Sequence, residues 1–195
     1  MFWIKLFESK MGFSFSEYGI FPRTLSGLKG LFFGQFIHGD WEHLIYNSIP
    51  FLLSTAALFF MYPRAAINAF MICFFAPGVL VWLFARPSFH IGLSGVNYAL
   101  LAFLFISGLI RRDTRRMAIS LLVVFLYGSM IIGLFPVKEG VSFESHIAGS
   151  VIGIIVAIIF RKSDPRKKYS WEIEEENKIK VNYTITDSDQ KENSN

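Results

Sequence analysis

The apolar residues of this chain fall in long blocks, and the charged residues fall between the blocks. Five stretches have the length and pattern of helices able, or nearly able, to cross a hydrocarbon core: Leu44–Tyr62, Ala65–Phe84, Leu93–Ile110, Met117–Phe135 and Ile147–Phe160. A span needs about 20 residues at about 1.5 Å of rise each. Four of the blocks end on clear stop signals: Pro63-Arg64, Arg111-Arg112-Asp113, Pro136 and Arg161-Lys162. The second block carries Pro77-Gly78 in its interior, which predicts a kink. The last block is short, and reaches an adequate length if Ser145 and His146 belong to its helix.

Outside these blocks the pattern changes. Met1–Gly12 is apolar but too short to span. Phe13–His38, with its Phe and Gly residues and Pro22, predicts an irregular membrane-skimming segment or a set of short helices. Residues 163–195 are polar and predict a solvated, largely disordered tail. A short helix over Trp171–Lys180 fits there, supported by paired acidic and basic residues.

Composition agrees with the blocks. Of 195 residues, 53% are hydrophobic and 22 are Phe, more apolar surface than a soluble domain of this size needs. The net charge of +4 is small and its basic residues sit at helix ends, which marks topology and not a nucleic-acid footprint. Arg111–Arg116 holds four arginines and one aspartate, and Arg161–Lys168 holds five basic residues and one acid. Two crossings separate these segments, so both lie on one side, the cytoplasmic side by the positive-inside rule. The opposite face receives Gly34–His43, Arg86–Gly92 and Pro136–Ser145, which carry or border the four histidines. Cys73 lies alone in an apolar run, which excludes an intrachain disulfide and fits a buried structural thiol. No cleavable signal peptide is expected: Lys5 interrupts the apolar start and no small-residue cleavage site follows.

Three blocks place polar groups near that extracytoplasmic face. The first carries His43 and Asn47, the third Ser94 and Tyr98, each pair four apart and so on one helical face. The last carries His146, with Gly149 and Gly153 on its flank. Polar groups in hydrocarbon are costly unless they face protein or water, so the economical arrangement points them at one another. Ser94, in Gly92-Leu93-Ser94-Gly95, is then a candidate nucleophile, and His146 the base that takes its proton and returns it to the leaving amine. Asn47, His43 and the Ser94 amide can donate to a developing oxyanion, where one donor is worth roughly 10²–10³ in rate. Gly95 lets a substrate or helix approach closely, as do Gly149 and Gly153. No carboxylate is placed to orient His146, since the Glu144 side chain should point elsewhere. A dyad is therefore favoured over a triad, with the Tyr98 ring holding the imidazole by packing.

Plainer explanations compete. Gly-x-Ser-Gly is weak by itself, because small residues are ordinary at membrane-helix contacts, and Val96 breaks the Gly-x-Ser-x-Gly elbow of soluble hydrolases. His43 and Asn47 could form a structural pair, and His146 could be polar glue. A zinc site from His38, His43 and His146 lacks the carboxylate of a His-Glu-x-x-His pattern, so no metal is assigned. His90 has no sequence partner and is expected on the surface.

Together these motifs resemble the rhomboid family of intramembrane serine proteases. His38-Gly-Asp-Trp-Glu-His43-Leu-Ile-Tyr-Asn47 resembles its His-x4-His-x3-Asn pattern, Gly92-Leu-Ser94-Gly95 its nucleophile motif, and His146 with Gly149 and Gly153 its last-helix motif. Tyr98 falls on the tyrosine that packs the catalytic imidazole. The resemblance covers roughly Tyr18 to Arg161, and Gly19–Gly30 is similar to the first loop of a bacterial subgroup, without the Trp-Arg pair of some members. It implies an all-α polytopic membrane helix bundle with a six-helix core. It implies a Ser94/His146 dyad, an oxyanion site of Asn47, His43 and the Ser94 amide, and a structural His38. Neither cofactor nor metal is implied. The implied reaction is hydrolysis of peptide bonds in or beside transmembrane segments of protein substrates in the bilayer, with the site open to the extracytoplasmic side of a bacterial inner membrane.

Against that six-helix core the chain shows five full spans, so helix 1 is expected to be truncated, or translation to begin upstream of Met1. The organisation expected is 1–17 as the remnant of the first transmembrane helix, 18–42 as the first loop, 43–162 as the catalytic bundle and 163–195 as a cytoplasmic tail. Two rival functions stand beside the protease: a catalytically inactive rhomboid-like protein that binds membrane clients, and a small channel or transporter lined by His43, Asn47 and His146.

Overall fold

The computed structural model describes residues 1–126, 132–136, 142–165 and 170–180. The end of the fourth apolar block around residues 127–131, the stretch 137–141 and the tail beyond residue 180 lie outside the described residues. The described secondary structure is helical, with one isolated antiparallel bridge between Ile20 and His90.

Helix α1, Phe2–Met11, stops at Gly12, whose φ of 70° lets its N–H turn back to the Glu8 carbonyl. Its ten residues reach about 15 Å, half of a hydrocarbon core. Buried Glu8 ties the helix to the next segment by accepting from the Phe15 amide at 2.6 Å. Residues 16–36 then form a run of short helical turns, Ser16–Tyr18, Ser26–Lys29, α2 at Gly30–Phe33, and Gly34–Phe36. The glycines of this run allow a close approach: a Cβ on Gly30 would meet the backbone of Gly19 and Ile20.

The bundle follows. Helix α3, Trp41–Met61, starts where the Asp40 side chain accepts from the His43 amide, and α4, Ala66–Phe84, follows the Pro63 turn. Both are long and apolar enough to cross a membrane. Helix α5, Ser94–Ile110, and α7, Phe143–Ile159, are shorter and apolar. Helix α6 occupies Thr114–Leu126. Helix α7, the last of the bundle, begins at Phe143, four residues ahead of the apolar block, because Ser142 caps it by accepting from the Ser145 amide. His146 therefore lies inside its first turns.

Helix α5 is the axis of the bundle, with one wall after another buried: Val96, Ala99, Leu100, Phe103 and Leu104 all pack into the core with Leu58, Cys73, Val156 and Ala157. Against α7 the approach is backbone to backbone. A Cβ on Gly149 would lie 2.1 Å from the Gly95 carbonyl oxygen, and one on Gly153 would lie 2.2 Å from that of Ala99. Small residues bring membrane helices this close because dispersion and polar contacts, not water exclusion, hold them together.

At the opposite end Asp164 works as a clasp. Its carboxylate accepts from the amides of Arg64 and Ala65 at 3.1 and 3.0 Å, while its carbonyl accepts from Arg111 and Arg116, each at 2.9 Å. Arg111 also donates to the Phe160 carbonyl at 2.5 Å. The arginines that mark topology in the sequence thus also close the ends of α5 and α7. The chain divides into two units, Met1–Pro165 and Arg166–Asn195. Within the second, residues 170–180 form a helix.

Candidate active site

Ser94 is the first residue of α5, half-buried, at the end of a turn that only glycine tolerates. Gly92 has φ +100°, and a Cβ there would lie 2.9 Å from Cε1 and 3.0 Å from Nε2 of His43. The turn is fixed from below, where the Gly92 amide donates to the Gly34 carbonyl at 2.8 Å, and the Leu93 amide donates to His38 Nε2 at 3.4 Å. His38 is buried, and its ring meets that of His43 edge-on with centroids 5.0 Å apart. The imidazole of His38 is thus a strut under the serine turn.

One helical turn further along α5, Tyr98 stacks on His146, with ring centroids 4.2 Å apart and planes 11° from parallel. The Gly95–Gly149 contact lies beside it, so α5 and α7 touch at the level of Ser94 and His146. His146 is buried, and its Nδ1 lies 2.6 Å from the Gly133 carbonyl oxygen. A carbonyl only accepts, so the neutral ring carries its proton on Nδ1 and leaves Nε2 as the basic atom. The sequence offers no carboxylate to orient His146, and the group that does so is a main-chain oxygen. Gly133 also has to be small: a Cβ there would lie 2.5 Å from the Tyr98 hydroxyl.

The two remaining candidates lie on α3. Asn47 is buried, and its Nδ2 donates to the His43 carbonyl at 2.8 Å. Its Oδ1 accepts from Asn97 Nδ2 at 3.2 Å, and Asn97 Nδ2 also reaches the Asn47 carbonyl at 3.0 Å. Asn97 is itself 1% exposed and is a site residue beyond those expected from the motifs. Its signal was present, an amide inside an apolar block one residue before Tyr98, which requires a partner across a helix contact. Because Asn97 holds Oδ1, the Asn47 amide keeps its NH₂ as donor, with one hydrogen left beyond the His43 carbonyl.

His90 corrects the sequence expectation. It is 3% exposed, not on the surface, and its Nδ1 lies 2.6 Å from Ser142 Oγ. The partner is 52 residues away, at the start of the last helix, so no local pattern announces it. Glu144 does point elsewhere, to Arg86 at 3.3 Å.

Burial, and then the charge of nearby His43, pushes His38 down to about 4 from its ordinary 6.5; burial also lowers His90. A histidine depressed in the fold takes up a proton first in the unfolded chain. Its contribution is therefore complete above about pH 6.5 and is lost as pH falls toward 4. Thermal unfolding in detergent should show a lower midpoint at about pH 5 than at about pH 7.5, and His38→Gln should flatten that difference. An unchanged slope would place the acid sensitivity elsewhere.

A bundle of apolar helices in which α5, opened by Ser94, meets His146 through Tyr98 and meets Asn47 through Asn97 is the arrangement expected of the rhomboid-type membrane proteins. Comparison agrees. The rhomboid domain family matches residues 26–163. An uncharacterized protein of Mycobacterium tuberculosis is 32% identical over 181 residues, which is 86% of this chain and 73% of the relative. One of Mycobacterium bovis gives the same figures, and one of Mycobacterium leprae is 31% identical over 183 residues, covering 86% of this chain and 69% of the relative. No solved structure matches significantly. The chain belongs to the rhomboid family and is an integral membrane protein.

Proposed function

We propose that the protein is an intramembrane serine endopeptidase that hydrolyses peptide bonds in or next to transmembrane segments of other membrane proteins. The observation that carries the reading is the stacking of His146 on Tyr98 beside the Gly95–Gly149 backbone contact, which puts the imidazole against the first turn of the helix that Ser94 opens.

In this mechanism Ser94 Oγ attacks the scissile carbonyl carbon while His146 Nε2 takes its proton. The Gly133 carbonyl holds Nδ1–H and so keeps the ring in the tautomer that can do this. The oxyanion receives hydrogen bonds from the Ser94 amide, the second hydrogen of Asn47 Nδ2 and His43. His146 then protonates the departing amine, and the carbonyl carbon stays on Ser94 as an ester. Water, deprotonated by His146, attacks that ester, and the acid leaves as Ser94 regains its proton. Gly92 permits the turn that presents Ser94, and Gly95 and Gly149 permit the helix contact. No metal or cofactor takes part. With the Arg111–Arg116 side cytoplasmic, the site opens to the extracytoplasmic face of a bacterial inner membrane.

Treating the purified protein in detergent with a fluorophosphonate probe tests the reading. Labelling is expected in the parent chain and absent in Ser94→Ala. No labelling of well-folded parent protein would instead favour a client-binding protein without catalysis.

A further inference from the structure

The loop between α4 and α5 does more than deliver the chain to Ser94. Its residues also touch Ser142, Phe143 and Glu144 in the turn that opens α7. Arg86 Nε pairs with Glu144 at 3.3 Å, and its guanidinium lies 5.6 Å from the Phe143 ring centroid. His90 Nδ1 meets Ser142 Oγ at 2.6 Å, and Ser142 Oγ meets Ser145 Oγ at 2.7 Å and the Ser145 amide at 3.3 Å. The next residue is His146.

The polarity of this chain of contacts can be worked out. His90 Nε2 lies 3.1 Å from the Arg86 carbonyl, which can only accept, so Nε2 carries the proton. Nδ1 is then an acceptor and takes the Ser142 hydroxyl hydrogen. Ser142 Oγ, having given its hydrogen, accepts from the Ser145 amide and hydroxyl. Ser88 Oγ also lies 3.3 Å from Nε2, and the Ser145 amide also reaches the Ser142 carbonyl at 3.2 Å, so those two hydrogens are shared while the N-cap of α7 is oriented from outside its own helix. The His90 backbone cannot drift, because it is bridged to Ile20 by two hydrogen bonds of 2.9 Å each. Burial lowers the affinity of His90 for a second proton, in keeping with a neutral acceptor between Arg86 and Glu144.

We propose that His90 is a positioning residue that, through Ser142, holds the first turn of α7 and thereby fixes His146 relative to Ser94. One loop then carries both halves of the dyad, entering α5 at Ser94 by one end and gripping α7 by its middle. The catalytic consequence rests on the protease reading; the mechanical part does not.

The test compares His90→Ala, Ser142→Ala, their double variant and His90→Asn, which returns an acceptor oxygen to the place of Nδ1. Two quantities are read: deuterium exchange of the 142–147 amides against those of α3, and the rate of fluorophosphonate labelling. Both alanine variants should speed exchange in 142–147 alone and slow labelling by roughly 10²-fold, the scale of a small misplacement of reacting groups. The double variant should fall no further than the singles, and His90→Asn should recover much of the loss. Ser142→Ala leaves the imidazole in place, so it decides the matter if His90→Ala does not fold. Unchanged exchange in 142–147, additive losses, or no recovery in His90→Asn would overturn the proposal. Absence of labelling in the parent chain would remove the protease reading and leave the exchange data to decide the clasp.

Discussion

Ser94→Ala, His146→Ala and the double variant are expected to lose cleavage of a transmembrane substrate to one common floor, on the order of 10⁴-fold or more below the parent chain. The equality is the informative part. A nucleophile and its base act in the same step, so removing either removes the step, and removing the second costs nothing further. Residues that merely line a path or bind a client act separately, and their losses multiply. The measurement is kcat in proteoliposomes, with thermal unfolding run alongside. Ser94 is half-buried and the alanine removes one hydroxyl, so the unfolding midpoint should stay within a few degrees of the parent. His146 needs more care, because its ring is buried, stacks on Tyr98 and bonds the Gly133 carbonyl. Replacing it by Gln keeps volume and a donor, and should reach the same floor with less loss of stability. Losses that multiply in the double variant would overturn the dyad.

The residues that carry this prediction were legible because their chemistry is rare in its surroundings. A histidine or asparagine inside an apolar block has no inexpensive place except against another polar group. Spacing of four fixed which of them share a face, so Tyr98 could be expected to pack the imidazole that it does stack on. The helix starts were less legible. The last apolar block begins at Ile147, yet the helix begins at Phe143, since a capping serine and polar first-turn residues carry no hydropathy signal.

What stayed hidden was hidden for a common reason. Gly133 orients His146 through a carbonyl oxygen, a group that every residue has. His90 bonds a serine 52 residues away, and a loop histidine with an unspecified partner looks the same as a solvated one. Asn97 lay between two residues already assigned, so its role in holding Asn47 was masked by its neighbours. In each case the polar side chain is visible in the sequence, while the partner that holds it is set by the fold. Those partners come from elements distant in sequence, and only packing brings them together.

Gly149→Ala is expected to be the most damaging single methyl addition on α7, and to differ in kind from Gly153→Ala. The added Cβ at 149 would lie 2.1 Å from the Gly95 carbonyl oxygen and 3.0 Å from the Tyr98 Cβ. At 153 it would lie 2.2 Å from the Ala99 carbonyl oxygen and 2.8 Å from the Ala102 Cβ. Both obstacles include main chain of α5, which cannot swing aside, so the helices must separate by a similar amount. Forced separation of a packed interface costs about 1–3 kcal/mol, and the two variants should show comparable drops in unfolding midpoint. Activity should not follow stability. Position 149 faces the turn of α5 between Ser94 and Tyr98, so separation there moves the imidazole off its nucleophile and should lower kcat by roughly 10²-fold. Position 153 is one turn deeper, where the helices can pivot about the contact and leave the dyad close to its place. Its kcat should fall much less while KM stays near the parent value. The check is kcat and KM for both variants at a temperature where each remains folded. If the two lose activity equally at equal stability, the Gly95–Gly149 contact holds the bundle together without setting the distance between serine and histidine.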